Sequence, residues 1–343
     1  MRRRRRWWLA GVLALAAVMP VRAALLINGA GATFPYPIYS KWFDDFHKRN
    51  PDTQINYQSI GSGGGIRQVL EGTVDFGATD GPMSDEQMAS AKIPILHLPT
   101  VLGAVVPTYN LAGVEKLRFT PEAIAGIFLG KITHWNDPAI AKENPDAKLP
   151  AAAIVPIHRS DGSGTTYIFT DYLSKVSGDW KGSVGKGTSV NWPVGLGGKG
   201  NEGVAGLVKQ TPNAIGYVEL IYAVQTKLPY GDVRNRAGKF VPATLESVTA
   251  AAAAAATSMP EDFRVSITDA AGADAYPIAS FTWLLVPTHI TDEGKGIALR
   301  KFLDWMLTDG QQLAAPLNYA PLPAAVIALE QRALGKIQVA SAR

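Results

Sequence analysis

Leu25-Leu26-Ile27-Asn28-Gly29-Ala30-Gly31-Ala32-Thr33-Phe34-Pro35 is the stretch on which the fold reading turns. Its first residues read as a short buried strand, its glycines as a turn, and Thr33-Phe34-Pro35 as the entry to a helix. Tyr39, Trp42, Phe43 and Phe46 then fall on one face of a 3.6-residue period, as a packed helix requires. The same order recurs twice before residue 81. Ile55-Asn56-Tyr57-Gln58 alternates like a strand and runs into Gly61-Ser62-Gly63-Gly64-Gly65, with a helical pattern from Ile66 to Leu70. Val74-Asp75-Phe76-Gly77-Ala78 is a further short strand, ending at Thr79-Asp80. Strands handing over to helices through polar glycine loops indicate an α/β fold, and open α/β sheets gather ligands at the carboxyl ends of their strands.

Farther along, Ile95 to Val106 is a long apolar stretch bracketed by Pro94 and Pro107, expected to form buried strands that cross between domains. Thr120-Pro121 reads as the N-cap and first position of a helix. Ile154 to His158 is a strand that delivers Arg159, and Gly195 to Gly203 is a second glycine-rich loop containing Lys199 and Asn201. The alanine run Ala250 to Ala256 reads as a surface helix without a functional role. Phe281 to Val286 is a late strand, and Lys301 to Leu313 a final amphipathic helix.

The ends and the composition bound the function. Arg2 to Arg6, the apolar run Trp7 to Val21 and the small residues around Ala23 form an export signal, expected to be cleaved after about Ala23. The whole chain carries 33 Lys+Arg against 29 Asp+Glu. Loss of Arg2 to Arg6 and Arg22 takes six positive charges, which leaves 27 against 29, or −2. The basic character thus belongs to the leader and gives no reason to expect a nucleic-acid partner. There is no cysteine, which excludes disulfides, thiol catalysis and a cysteine-linked lipid anchor. The remaining length points to two domains. The expected division is 24–102 with 278–343 as one discontinuous domain, and 103–277 as the other.

Arg159-Ser160-Asp161-Gly162-Ser163-Gly164-Thr165-Thr166 is the richest segment chemically. A planar guanidinium, several hydroxyls and glycine-exposed N–H groups at a helix start suit a small tetrahedral anion. An ordinary N-capped helix after a glycine turn fits the same residues equally well. Enzyme signatures are weaker. Ser163 and Ser62 lack the glycine two residues earlier that a nucleophile elbow needs, with Asp161 and Ile60 in those places. The five histidines show no metal-binding spacing. Gly185-Lys186-Gly187-Thr188 lacks the first glycine and the Ser/Thr after lysine that a nucleotide phosphate loop needs. His158 neighbours Arg159 but points to the opposite face of its strand.

Taken together, Gly29 to Pro35, Tyr57 to Gly64, Val74 to Asp80, Arg159 to Thr165, Gly195 to Asn201 and Ala214-Ile215-Gly216-Tyr217-Val218-Glu219 carry a family resemblance. In order and in sequence they resemble the periplasmic phosphate-binding protein of the high-affinity ABC phosphate transporter, from about residue 28 to about residue 323. The resemblance implies a type II periplasmic binding protein of two α/β domains, each a mixed sheet flanked by helices, closing over a ligand in the cleft. Carried onto matching positions, it implies phosphate held by Thr33, the N–H of Phe34, Ser62 and Asp80 from one domain. Arg159, Ser163, the N–H of Gly164 and Thr165 come from the other, with Asp161 supporting Arg159. It further implies a monomer in the periplasm, permease subunits as partners, no cofactor and no metal. One departure is visible: where the family often has Ser-Ser-Gly-Gly, this chain has Ser62-Gly63-Gly64-Gly65.

The carboxylate is the selective element in this reading. Phosphate near neutral pH still carries a proton, which an ionised Asp80 can accept in a charge-assisted bond. Sulfate has none, and would meet the carboxylate lone pair to lone pair. The alternatives are another tetrahedral oxyanion, with arsenate harder to reject than sulfate, and a secreted phosphatase on the same scaffold.

Overall fold

The computed structural model describes residues 24–340, so the predicted leader lies outside the described residues. Thirteen strands are present among those residues. The first four are β1 (Leu25–Gly31), β2 (Thr53–Ser59), β3 (Phe76–Thr79) and the long β4 (Ile95–Tyr109). Then come β5 (Arg118–Phe119), β6 (Val155–Arg159), β7 (Leu196–Gly198), β8 (Ala214–Glu219), β9 (Asp232–Arg234) and β10 (Phe240–Val241). The last are β11 (Ala279–Pro287), β12 (His289–Ile290) and β13 (Gln338–Val339).

Eight of these strands form one mixed sheet in the order β2-β1-β3-β11-β4-β8-β6-β7. Its two ends are parallel: β1 lies between β2 and β3, and β6 between β8 and β7. The middle is antiparallel, because β11 pairs with both β3 and β4, and β4 with β8. Strand β4 is shared: residues up to Ala104 pair with β11, and Val105 to Tyr109 pair with β8. The sheet thus has two halves joined through one strand.

The apolar stretch from Ile95 is therefore a single strand, and it continues through Pro107 instead of stopping there. Its two prolines do not end it. Pro99 lies at a register shift opposite Thr282/Trp283, and the Pro107 carbonyl still accepts from the Gly231 N–H. Gly29 and Gly31 likewise belong to the strand, not to a turn. A Cβ on Gly29 would strike the Phe76 ring, and one on Gly31 the Ala78 carbonyl, so the glycines allow β1 and β3 to approach closely.

The helix Tyr36–Arg49 buries Tyr39, Trp42, Phe43 and Phe46, the face predicted from spacing. These rings meet Tyr57, Phe76, Phe302 and Trp305, and each buried aromatic contributes roughly 1.5–3 kcal/mol. The alanine run lies in the helix Leu245–Thr257, but Ala251, Ala252 and Ala255 are buried, so one side of it is core and not surface. The late amphipathic helix spans Glu293–Met306, with Asp292 as N-cap. Asp309–Leu313 is a separate 3₁₀ turn, and a further helix, Ala324–Ala333, follows. Among the described residues no helix is long and apolar enough to cross a membrane.

Candidate functional site

Every parallel strand of the sheet ends at the same place, and the loops there carry the residues singled out above. Strand β1 leads to Thr33 and Phe34, β2 to Ser62, β3 to Asp80, and β6 ends on Arg159. Thr33, Phe34, Ser62, Asp80, Arg159, Ser163 and Thr165 are all at most 3% exposed. The structure brings them together from both halves of the sheet. The Gly164 N–H donates to Ser62 Oγ at 3.0 Å, and the Gly63 N–H to the Gly162 carbonyl at 2.9 Å.

The segment around Arg159 turns out to satisfy both of its readings. Ser163 is the N-cap of the helix Gly164–Val176, accepting from the Thr166 N–H at 3.0 Å. The same helix start faces Ser62 and Asp80. Arg159, delivered by β6, is gripped by Asp161: Nε donates to Oδ1 at 2.8 Å and Nη2 to Oδ2 at 2.5 Å. Burial alone would lift the Asp161 carboxyl, but the Arg159 fork and the Gly200 N–H hold it below the usual carboxylate range.

Across from Arg159 stands Asp80, which is 1% exposed. Burial pushes its carboxyl up to about 7; hydrogen bonds from Thr282 and Ser62 and the charge of Arg159 oppose the rise, and Asp161 adds to it. Near neutral pH this group thus takes or gives a proton readily.

The hydroxyls share one property. Ser62 Oγ accepts from the N–H groups of Asp80 (3.2 Å) and Gly164 (3.0 Å). Thr33 Oγ1 accepts from the Asn201 N–H (3.3 Å) and from Asn201 Nδ2 (2.8 Å). Thr165 Oγ1 accepts from Asn201 Nδ2 (3.0 Å) and Arg159 Nη1 (3.4 Å). A hydroxyl has two acceptor positions and one donor. With both acceptor positions filled by N–H groups, each of the three has only its proton left to offer. The Ser62 proton has one further acceptor, Asp80 Oδ2, at the long distance of 3.5 Å. Donor protons, an arginine fork and the Asp80 carboxyl can be satisfied together by a small anion if one proton lies between that anion and Asp80.

The Gly164 N–H is engaged by Ser62 here, so its expected role requires Ser62 to share it. Gly63, the departure from the Ser-Ser pattern, packs on Gly162: a Cβ there would lie 3.2 Å from the Gly162 Cα. His158 stacks on Trp192 at 4.8 Å, away from the site. Among the described residues no group of three or more His, Asp or Glu side chains is placed to hold a metal ion.

Several residues of the site were not named as such from the sequence. Thr282 of β11 donates to Asp80 Oδ1 at 2.8 Å; its only mark in the sequence is a hydroxyl within the apolar run Phe281 to Val286. Tyr217 meets the Arg159 N–H and Thr166 Oγ1, while Tyr222 and Tyr319 donate to the carbonyls of Thr33 and Phe34. Their apolar neighbours make them read as ordinary core aromatics.

Comparison with known proteins agrees with this architecture. Residues 20–310 match the model of a PBP superfamily domain. The chain is 48% identical over 299 residues to a protein of Xylella fastidiosa named phosphate-binding protein PstS, covering 87% of this chain and 81% of that one. A PstS protein of Pasteurella multocida is 46% identical over 306 residues, covering 89% and 88%. Among solved structures, a high-affinity periplasmic phosphate-binding protein (PfluDING) bound with phosphate superposes with a TM-score of 0.73 at 22% identity, over 90% of this chain and 93% of that one. At that identity the likeness speaks for the fold alone. With the sheet order, the loop motifs and these relatives in agreement, the chain belongs to the PBP superfamily and, within it, to the family of the phosphate-binding proteins PstS.

Proposed function

We propose that this protein binds inorganic phosphate between two lobes and delivers it to the permease of an ABC phosphate transporter. The observation that carries the reading is the set of three buried hydroxyls, Thr33, Ser62 and Thr165, whose acceptor positions are filled by N–H groups. Thr165 meets the Arg159 fork and Ser62 the Asp80 carboxyl. The lobes are residues 24–102 with 278–343, and 103–277. The exchange of β4 partners from β11 to β8 near Ala104 supports the first boundary. The liganding groups are Thr33, the Phe34 N–H, Ser62 and Asp80 on one side, and Arg159, Ser163, Gly164 and Thr165 on the other, with Asp161 supporting Arg159.

Asp80 supplies the selectivity. Between its carboxyl and the nearest phosphate oxygen one proton is needed, and near neutral pH either partner can bring it. Sulfate brings none, so against an ionised Asp80 two lone pairs face each other in a dry site, which costs several kcal/mol at roughly the scale of an unpaired buried charge. The protein works in the periplasm as a monomer after loss of its leader, and it binds without transforming its ligand. Isothermal titration of the leader-free protein with phosphate and then sulfate tests the reading. At about pH 8, where Asp80 is ionised, tight phosphate binding with no sulfate heat is the expected result, and equal affinity for the two anions there would overturn it. Release of phosphate from a phosphomonoester by the same sample would overturn the assignment as a binding protein alone.

A further inference from the structure

The second glycine-rich loop has a place in the site that its sequence did not disclose. Strand β7 ends at Gly198, and the helix Gly200–Gln210 begins two residues later. Asn201, in its first turn, is fully buried. Its side chain touches both lobes. Nδ2 donates to Thr33 Oγ1 at 2.8 Å, a residue 168 positions away, and to Thr165 Oγ1 at 3.0 Å.

The orientation of this amide is fixed by chemistry. Asn201 Oδ1 accepts from the Glu219 N–H at 2.9 Å. A flipped amide would set its NH₂ against that N–H, donor against donor, so the amide hydrogens must point at the two threonines. The backbone of the same turn acts in parallel: the Asn201 N–H occupies the second acceptor position of Thr33, and the Gly200 N–H holds Asp161 Oδ1 at 3.0 Å, behind Arg159. These two N–H groups are thus spent on Thr33 and on the support of Arg159, and not on the anion.

Resting on the phosphate-binding reading above, we infer that Asn201 is a positioning residue with two tasks. It sets the polarity of Thr33 and Thr165, so that each hydroxyl can only donate toward the anion. It also latches the closed state, because its bond to Thr33 spans the lobes and is made only when they meet. The ligand enters before this latch forms, so the residue governs release more than capture.

Stopped-flow phosphate binding by the leader-free protein tests this. Asn201→Ala should raise the dissociation rate at least tenfold and leave the association rate within about threefold of wild type. Asn201→Asp, the same shape with Oδ1 kept for Glu219 but the amide hydrogens removed, should dissociate at least as fast, and it carries the test if the alanine variant does not fold. Asn201→Ala and Thr33→Val should also be non-additive, the double variant dissociating more slowly than the product of the single effects predicts, because the part of the Asn201 effect that runs through the Thr33 hydroxyl is already lost in Thr33→Val. A merely structural asparagine would lower thermal stability and leave dissociation unchanged in the folded fraction, with additive effects. That outcome overturns this inference and leaves the phosphate assignment intact, whereas a wild-type protein that binds no phosphate overturns both.

Discussion

The amide of Gly164, beyond β6, donates to the hydroxyl of Ser62, beyond β2 in the other half of the sheet, at 3.0 Å, and a Cβ on Gly164 would lie 2.5 Å from that same oxygen. It would also lie 2.6 Å from the Asp80 N. The closed arrangement therefore requires glycine at 164. Gly164→Ala should leave each lobe folded but hold them apart. The expected outcome is a melting temperature near wild type with phosphate affinity reduced at least a hundredfold, about 2.7 kcal/mol. Titration calorimetry beside a thermal melt checks it, and near-normal affinity would mean that the lobes need not approach this closely.

Asp80→Asn replaces an acceptor-only group by one that can donate. Sulfate, which wild type should refuse, should then bind measurably. Phosphate should weaken by about 1.5–3 kcal/mol, the range of a hydrogen bond to a charged group. Calorimetry with both anions decides, and unchanged sulfate exclusion would remove Asp80 from the selectivity role.

The same carboxyl predicts a pH dependence of stability. Its folded pKa is about 7 against an ordinary 3.8. Below the ordinary value both folded and unfolded chains hold the proton, and the burial carries no penalty. Between the two values the folded protein keeps a proton that the unfolded chain has lost, so its stability falls as pH rises; above about 7 the loss is complete. Ligand-free Asp80→Asn should accordingly be more stable than wild type at pH 8, by roughly 2–4 kcal/mol, and equal to it near pH 4. Thermal melts across this window measure the difference. Because a protonated Asp80 can donate, wild-type sulfate binding should emerge only on the acid side of about 7.

Asp161→Asn keeps the shape beside Arg159 but gives up the charge and one acceptor of the paired fork. Phosphate affinity should drop about tenfold, near 1.4 kcal/mol, through a looser guanidinium. A crystal structure of the variant with Arg159 unmoved and affinity unchanged would show that the fork needs no support.

Seven residues along the helix that begins at Gly164, Asp171 is 2% exposed and accepts from Lys186 (2.7 Å), Ser266 (2.6 Å) and Thr268 (2.6 Å), with Lys175 at 2.9 Å. Burial would raise its carboxyl, but these partners together hold it well below the ordinary range. Its contribution is therefore present above the ordinary carboxylate pKa and is lost as pH falls below it. Asp171→Asn should cost about 2–3 kcal/mol at pH 7, less than a fully buried pair because both lysines are partly exposed. The gap from wild type in denaturant unfolding should narrow at acid pH.

Much of the fold was legible because its signals are local. The apolar face of Tyr36–Arg49, the cap at Thr120 and the strand delivering Arg159 follow from spacing and capping chemistry over a few residues. The misreadings also have local causes. Gly29 and Gly31 look like a turn in sequence, yet serve a close approach of β1 to Phe76 and Ala78, which no window around them contains. Pro107 looks like a strand end and is not one, because pairing with β8 carries β4 on through Thr108 and Tyr109.

By itself the sequence determined which residue types stand at the carboxyl ends of the strands: a guanidinium, several hydroxyls, a carboxylate and glycines that free backbone N–H groups. Only the tertiary structure decided how those groups are spent. Thr282 reaches Asp80 across 202 residues, Asn201 reaches Thr33 across 168, and Gly164 reaches Ser62 across 102. The physical reason lies in hydrogen-bond valence and desolvation. Whether a hydroxyl donates or accepts, and where a buried carboxyl titrates, depends on what the rest of the chain packs against it.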